Sequence, residues 1–206
     1  MSKIWKKDLG QEGSGNYGAT NAFRAWGSKG FAIVFILDMM KSISAALVIW
    51  FLAILIGKII ISDETIIFLE LTLAIPFAIV FVMIGHTYPL YFGFKGGKGV
   101  ACSFGLIIVI NWIFALIAIS CFGVILKITK KMSAASIFGT LIGGILLLFQ
   151  PLMYSTQAYV LVPGWSLMWS IWPGVFITVM IVEIKHIPNI KRMIRGEELS
   201  IGNENK

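Results

Sequence analysis

The sequence predicts an all-α, polytopic integral membrane protein, a bundle of about six membrane-spanning helices in a single domain over residues 1–206. Apolar residues make up 58% of the 206 residues, charged residues only 13%, and the mean hydropathy is +0.88. Because soluble domains carry about a quarter of charged residues, this composition excludes an ordinary soluble fold. Long apolar stretches separated by short polar segments point the same way.

Five apolar stretches supply the predicted spans. They are, in chain order, Phe31–Gly57, Ile66–Ile84, Gly99–Leu126, Ala134–Gln150 and Trp165–Ile184. Apart from the third, each has the length of one helix crossing a hydrocarbon core of about 30 Å, at about 1.5 Å per residue. Pro76 predicts a kink in the second span.

The third stretch, Gly99–Leu126, has 28 residues, too many for one upright span and few for two. The basic residues on both sides of it favour the same face of the membrane, so it should cross twice or not at all. We therefore predict a hairpin of two short or tilted helices that breaks near Asn111, with Trp112 as an interfacial anchor.

The positive charge predicts the orientation. The chain has 17 Lys and Arg against 10 Asp and Glu, a net charge of +7 that we expect at the cytoplasmic membrane face, next to membrane lipids, rather than on a nucleic-acid-binding surface. All the basic residues except Lys41, within a span, and Lys58, outside, then lie on that side. Residues 197–206 are predicted to be a frayed tail. The predicted cytoplasmic segments are residues 1–30, 85–99 and 185–206.

The two cysteines, Cys102 and Cys121, lie in apolar stretches without a CxxC pattern or neighbouring histidines. This arrangement is not typical of a disulfide scaffold, an iron–sulfur cluster or a zinc site. We expect no metal and no cofactor.

The first polar segment, Gly13–Arg24, has a formal GxGxxG pattern, but no strand precedes it, so a dinucleotide-binding unit is excluded. Glycine-rich turns that expose backbone N–H groups next to polar donors are suited to an anion. An equally good interpretation is a capped loop leading into a helix, with Ser14 or Thr20 as the cap. The candidate donors are Ser14, Asn16, Thr20, Asn21 and Arg24.

The second segment places Lys95-Gly96-Gly97-Lys98-Gly99 directly before an apolar helix. Bare amides, the positive end of a helix dipole and two ammonium groups would then meet at one point, which predicts a phosphate site. The segment is not a Walker A loop, because Gly99 stands where Ser or Thr would bind Mg²⁺. The alternative is a flexible hinge whose lysines face lipid phosphates.

The third segment, His186–Glu198, follows the last span. His186 is able to transfer a proton near neutral pH, and Asn189 lies close enough in sequence to orient it. The alternative is a juxtamembrane basic helix whose Lys191, Arg192 and Arg195 contact anionic headgroups. Three anion-binding segments on one face together predict one site for a phosphorylated molecule.

These segments are GSGNYGATNAFR, GHTYPLYFGFKGGKGVA and HIPNIKRMIRGEE. They resemble, in order and spacing, the three signature motifs of the bacterial acyl-phosphate:glycerol-3-phosphate acyltransferase family, PlsY, and Leu37–Lys41 resembles the family too. The resemblance implies an inner-membrane enzyme of phospholipid biosynthesis, with its active site facing the cytoplasm. It would transfer a fatty acyl group from acyl phosphate to the 1-hydroxyl of glycerol 3-phosphate, giving lysophosphatidic acid and phosphate, without acyl-CoA or a metal.

The resemblance also implies roles for individual residues. His186, Asn189, Ser14 and Arg24 match active-site positions of the family. His86, Glu197 and Lys41 are expected to be structural or secondary site residues. The predicted substrate- or phosphate-binding residues are Gly96, Gly97, Lys98, Gly99, Asn16, Asn21 and Lys95.

The sequence departs from the family in three places. Family members normally have a transmembrane helix ahead of the first motif, whereas only twelve residues precede Gly13 here, so we expect no counterpart of that helix. Ser42 stands where glycine is usual, and Cys102 stands where threonine is common.

Two proton acceptors fit the predicted reaction, the His186 imidazole or a phosphate of the substrate itself. No Ser/His/Asp triad is visible, so we do not expect an acyl-enzyme at Ser14. The His-x-x-x-x-Asp acyltransferases are excluded, since Tyr91 and Lys191 occupy the required aspartate positions. A membrane carrier for a small phosphate ester and an inactive, truncated family member are the remaining alternatives. The oligomeric state is not predicted.

Overall fold

The computed structural model describes residues 8–12, 15–56, 59, 64–149 and 170–201, with backbone alone for 64–75. The all-α prediction is confirmed, and a 3₁₀ turn, Leu90–Phe92, lies between the second and third helices. Within these residues the helices are α1 (Ala19–Ile56), α2 (Glu64–Thr87), α3 (Val100–Ile110), α4 (Trp112–Thr129), α5 (Met132–Leu148) and α6 (Trp172–Ile194).

The predicted hairpin is confirmed. Asn111 has extended backbone angles, φ −153° and ψ 104°, so α3 ends and α4 begins there. Its Oδ1 accepts hydrogen bonds from the backbone N–H groups of Ile113 and Phe114, which otherwise have no partner in the first turn of α4. Trp112 is half exposed next to this cap.

Helix α3 is the core of the bundle. It packs against α1, α2, α4, α5 and α6, and most of its side chains are buried. Both small residues that differ from the family lie where α1 meets α3: Cys102 Sγ donates to the Asp38 carbonyl at 3.3 Å, and buried Ser42 donates to the Met39 carbonyl at 2.8 Å. Each hydroxyl or thiol therefore has a backbone partner in an apolar contact.

Two helices extend beyond the predicted spans. Helix α1 begins at Ala19, twelve residues before Phe31, with a kink at Gly27 (φ 69°, ψ −163°), and α6 continues from the predicted end at Ile184 to Ile194. A continued helix pairs its backbone groups internally at the membrane edge, where a polar loop would need other partners. The first and third motifs thus become helix ends rather than loops.

The frayed-tail prediction is wrong for residues 197–201. Glu198 is only 6% exposed, and the backbone N–H of Ile201 donates to the Lys130 carbonyl at 2.7 Å, which ties the chain end to the turn between α4 and α5. Buried hydrogen bonds outweigh the polar composition that suggested fraying. The predictions for the outer loops, around Lys58 and at Pro151–Gly164, fall outside the described residues, as do residues 202–206.

Among the described residues, α1 and α4 are long and apolar enough to cross a membrane, each with a mean hydropathy of 2.2 over an 18-residue window. Only 11% and 22% of those windows are buried inside the protein. Large apolar side chains face outward, for example Phe51 and Phe81, which are 58% and 65% exposed. Helices of this kind bury their apolar surface in lipid rather than in their own core.

Candidate active site

A cleft of about 640 Å³ lies at the end of the bundle where α1 and α3 begin and where α6 ends. It brings together one or more residues from each of the three motifs. We call it the polar cleft. The motif residues that line it include Asn16, Asn21, Arg24, His86, Lys98, Gly99, His186, Asn189 and Arg192.

The first motif forms the turn into α1. Asn16 Oδ1 accepts from the backbone N–H of Gly18 at 2.8 Å, and Thr20 lies inside the helix rather than at its cap. Asn21 is buried, and its amide donates to the carbonyls of Leu9 and Glu12 at 2.8 and 2.9 Å. Both of its amide hydrogens are thus used in holding the N-terminal segment, and neither is left for a phosphate. Ser14 lies outside the described residues.

The second motif separates two spaces. Lys98 and Gly99 line the polar cleft, whereas Gly96 and Gly97 line a second cleft behind the loop. Gly99 has φ +89° and precedes α3, where a Cβ would overlap the sulfur of Met83. Only glycine fits this left-handed position without strain, so the loop can turn into the helix.

Lys98 is held inside the polar cleft by a hydrogen bond from its Nζ to Oδ1 of Asn189, 2.5 Å long. Burial lowers the pKa of Lys98 to about 8; Glu198 opposes this shift, and Arg192 and Arg24 add to it. The ammonium is therefore charged at neutral pH but close to losing its proton. A bound phosphate dianion would offset the repulsion between the Lys98 ammonium and the nearby Arg24 and Arg192.

His186 is 2% exposed and its Nδ1 lies 2.8 Å from the Val182 carbonyl, one turn earlier in α6. A neutral ring that donates from Nδ1 to this carbonyl carries its lone pair on Nε2. That tautomer is the one required of a proton acceptor. The ring lines the polar cleft together with Lys98 and Asn189.

Glu198 is a site residue that the sequence reasoning missed. Its carboxylate accepts from Asn189 Nδ2 and from Arg192 Nε, both at 2.7 Å, while Glu197 is exposed. Burial alone would raise the pKa of Glu198, but hydrogen bonds from Asn189, Ser133 and Arg192 outweigh it and lower the pKa. Two adjacent glutamates after Gly196 gave no signal that the second one turns inward.

The second cleft, of about 1,340 Å³, lies on the other side of the glycine loop. We call it the apolar cleft, because most of the surface that lines it is apolar. The stacked rings of Tyr17 and Phe92, with centroids 5.5 Å apart, border it. The residues that line it include Leu9, Trp26, Val34, Leu37, Lys41, Lys95, Gly96 and Gly97.

The structure therefore divides the predicted phosphate-binding lysines. Lys98 faces the polar cleft, whereas Lys95 lies at the apolar cleft with Lys41. Asp38 and His86 line both clefts. Among the described residues, no group of three His, Cys, Asp or Glu side chains is placed to hold a metal ion.

The polar cleft has the groups for acyl or phosphate chemistry without covalent attachment to the protein. Arg24, Lys98 and Arg192 provide fixed positive charge, and His186 provides a buried imidazole beside them. Such a site binds anionic groups and stabilises charge that develops during a reaction. An adjoining apolar space suits a substrate with a hydrocarbon chain.

Comparisons with known proteins show the family of the chain. The model of the glycerol-3-phosphate acyltransferase family matches residues 1–196. The glycerol-3-phosphate acyltransferase of Mycoplasmopsis pulmonis is 33% identical over 198 residues, which cover 96% of this chain and 83% of that protein.

Two crystal structures of PlsY (YgiH), an integral membrane glycerol 3-phosphate acyltransferase, have similar folds. The glycerol 3-phosphate form superposes with a TM-score of 0.70 at 27% identity, over 98% of this chain and 86% of the other. The lysophosphatidic acid form gives a TM-score of 0.62 at 27% identity, over 98% and 85%.

Proposed function

This chain belongs to the glycerol-3-phosphate acyltransferase family, and we propose that its polar cleft is where the acyl group is transferred. The protein is an integral membrane acyltransferase that moves a fatty acyl group from acyl phosphate to the 1-hydroxyl of glycerol 3-phosphate. Its products are lysophosphatidic acid and inorganic phosphate, and the reaction belongs to phospholipid biosynthesis. The observation that supports this site is the meeting of Arg24, Lys98 and His186 in one cleft.

The reaction is a displacement at a carbonyl carbon. The 1-hydroxyl oxygen forms a bond to this carbon, the bond from the carbon to the phosphate oxygen breaks, and phosphate leaves with the electron pair. Because phosphate is already a good leaving group, catalysis consists chiefly of aligning two anionic substrates and neutralising their charge. The protein then needs fixed cations and one proton acceptor.

The residues of the polar cleft divide this work. Lys98, Arg24 and the amides at Gly99 hold phosphate groups at the beginning of α3, where the helix dipole also favours an anion. Asn189 orients Lys98 through the hydrogen bond at its Oδ1. His186 accepts the hydroxyl proton on Nε2, and the second possibility is that a substrate phosphate accepts it.

The apolar cleft holds the acyl chain of the donor. It is larger than the polar cleft, and Leu37, Val34 and Trp26 give it an apolar lining. Lys41 and Lys95 stand at the same cleft, where they are placed to attract an anionic headgroup. The carbonyl carbon would then lie near the shared wall, within reach of a hydroxyl in the polar cleft.

The enzyme resides in the bacterial cytoplasmic membrane with both clefts facing the cytoplasm. The support is the concentration of Lys and Arg near the span ends on that side. Clefts at that face are accessible both to soluble glycerol 3-phosphate and to a donor that arrives within the bilayer.

The carrier alternative fits less well. A carrier needs its anion site near the middle of the bilayer, open in turn to each side. Both clefts of the described structure lie at one end of the bundle, where α1 and α3 begin and α2 and α6 end. To release a phosphate ester at the opposite end of the bundle, a carrier would need polar groups there, and neither cleft extends to that end.

A turnover assay tests this function. Purified protein in lipid vesicles receives acyl phosphate and glycerol 3-phosphate, and phosphate release is followed with a metal chelator present. Release that requires both substrates and yields lysophosphatidic acid supports the enzyme. Uptake of glycerol 3-phosphate into the vesicles without phosphate release would support the carrier. If the protein shows neither turnover nor uptake, it is an inactive family member.

A further inference from the structure

A buried carboxylate and a buried imidazole lie together beneath the glycine loop, where the two clefts meet. Asp38 of α1 is 8% exposed and His86 of α2 is 9% exposed. Asp38 Oδ1 lies 3.6 Å from His86 Nδ1 and accepts a hydrogen bond of 3.0 Å from Lys41 Nζ. Ionisable groups inside a membrane bundle are costly and are retained where they act.

The other edge of the His86 ring supports the loop itself. A Cβ at Gly97 would overlap Nε2 and Cε1 of the ring, and a Cβ at Gly96 would overlap the His86 carbonyl oxygen. The backbone N–H of Gly96 also donates to the Thr87 carbonyl at 3.2 Å. The loop therefore rests directly on the end of α2, with the imidazole in contact with Gly97.

These contacts connect the carboxylate to the phosphate-binding residues. The negative charge of the Asp38 carboxylate, 3.6 Å from Nδ1, favours the tautomer that carries its proton on this nitrogen and the ring orientation that turns this nitrogen towards Asp38. The fixed ring sets the position of the Gly97 backbone, and the next two residues, Lys98 and Gly99, face the polar cleft. A displaced loop would move the Lys98 ammonium and the Gly99 amide away from the phosphate that they are proposed to hold, which weakens binding of that phosphate.

We propose that Asp38 and His86 are positioning residues for phosphate binding, with Asp38 orienting His86 and His86 holding the Gly97 backbone under the loop. The proposal rests on the function proposed above for the polar cleft. Both side chains also line the clefts, but the role proposed for them acts through the Gly97 backbone. Lys41 partly neutralises the Asp38 carboxylate through its ion pair, and the Lys41 side chain is itself 58% exposed.

Kinetic constants for Asp38→Asn, His86→Ala and the double variant test the proposal in the vesicle assay. Either single change should raise the KM of acyl phosphate or of glycerol 3-phosphate about tenfold, with a smaller change in kcat. The reason is that Lys98 and Gly99 would no longer be held in position to bind the phosphate. The double variant should be no worse than the poorer single variant, because Asp38 acts only through His86. Lys29→Gln, at an exposed lysine of α1, is the control and should change neither constant.

Gly97→Ala leaves Asp38 and His86 in place and so covers the case in which the buried changes prevent folding; adding His86→Ala to it tests the contact between the ring and the loop. Gly97 has an ordinary φ angle, so the His86 ring is the obstacle to alanine there. Gly97→Ala should raise the same KM, and Gly97→Ala/His86→Ala should lose this added penalty because the overlapping ring is gone. Thermal stabilisation by glycerol 3-phosphate and by inorganic phosphate measures the binding without turnover.

The proposal is overturned if the KM values and phosphate stabilisation are unchanged, if kcat alone falls, or if the Asp38 and His86 effects multiply. It is also overturned if removing the His86 ring leaves the Gly97→Ala defect intact. A wild-type enzyme that turns over normally while these tests fail rejects the positioning role and leaves the acyltransferase function standing. Absence of wild-type turnover rejects the function instead, and phosphate stabilisation then decides the positioning role.

Discussion

The ammonium of Lys98 donates a 2.5 Å hydrogen bond to Oδ1 of Asn189, joining segments 91 positions apart in the chain. The amide of Asn189 in turn donates to Glu198. The position of the principal cation of the polar cleft therefore depends on the last helix and on the chain that follows it. This contact would connect the phosphate binding proposed at the beginning of α3 with the proton transfer proposed on α6.

The acyltransferase should lose efficiency in mild alkali. Burial lowers the pKa of Lys98 to about 8, so kcat/KM should fall as the pH rises through that value and the ammonium is lost. A bound phosphate raises a neighbouring lysine pKa, so kcat should fall at a higher pH than kcat/KM does. Initial rates from pH 6 to 10 at low and saturating substrate provide the measurement.

The loss of activity should not be a loss of fold. The pKa of Lys98 is lowered from 10.5, so the folded protein holds this proton less tightly than the unfolded chain does. This group therefore makes folding more favourable as the pH rises from about 8 towards 10.5. Lys98→Arg stays charged and should have no decline near pH 8; the same decline in that variant would assign it to another group.

Glu198→Gln should destabilise the protein while Glu197→Gln should not. Glu198 is buried and accepts charge-assisted hydrogen bonds from Asn189 and Arg192, whereas Glu197 is exposed. Hydrogen bonds to charged groups contribute about 1.5–3 kcal/mol each to stability. Because a glutamine oxygen is a weaker acceptor than a carboxylate, the free energy of unfolding should fall by about 2 kcal/mol. Thermal unfolding of the two variants in the same detergent measures the difference.

The pH dependence of this stability has a defined sign. The pKa of Glu198 is lowered from 4.5, so its contribution is present above that pH and is lost as the pH falls further. Glu198→Gln should flatten the acid side of the stability profile. Equal stability of both glutamine variants at pH 7 would contradict a role for Glu198 in holding Asn189.

Much of the fold could be predicted from the sequence because apolar length and helix breakers act locally. The break at Asn111 and the glycine loop before α3 are examples, since cap chemistry and backbone freedom are properties of a few adjacent residues. The three motifs were predicted to share one membrane face because basic segments resist translocation, and Arg24, Lys98 and His186 from these motifs do line one cleft.

Long-range packing decided what the sequence could not. Lys95 and Lys98 look equivalent in sequence, but the loop between them separates the clefts, and each lysine faces a different one. The choice between Glu197 and Glu198, and the contact of Asp38 with His86, likewise depend on how helices meet. Such contacts have no local sequence signal.

Filling the apolar cleft should change the preferred acyl chain. Leu37 lines that cleft, whereas Ile36 is equally exposed on the same helix, 51% against 53%, and is not part of the lining. Leu37→Trp should shift preference towards shorter acyl phosphates, changing the ratio of kcat/KM for chains two methylenes apart by about tenfold. Competition between acyl phosphates of different length measures this ratio.

The control for chain length is Ile36→Trp, which adds the same ring outside the cleft. The KM for glycerol 3-phosphate should stay the same in both variants, because that substrate is proposed to bind in the polar cleft. Unchanged chain preference in an active Leu37→Trp enzyme would mean that the acyl chain lies elsewhere. An equal shift in both variants would assign the effect to the surrounding bilayer.

His186→Ala distinguishes the two proton acceptors. If Nε2 of His186 takes the hydroxyl proton, kcat should fall by about 10²–10⁴-fold while both KM values change little, because the ring acts in the transition state. Single-turnover phosphate release at saturating substrates provides the measurement, and thermal stabilisation by glycerol 3-phosphate confirms that Lys98 still binds. Near-normal turnover at saturation would reject His186 as the base. The proton would then pass to a phosphate oxygen of the substrate, and the remaining task of His186 would be to pack beside Lys98 at the end of α6.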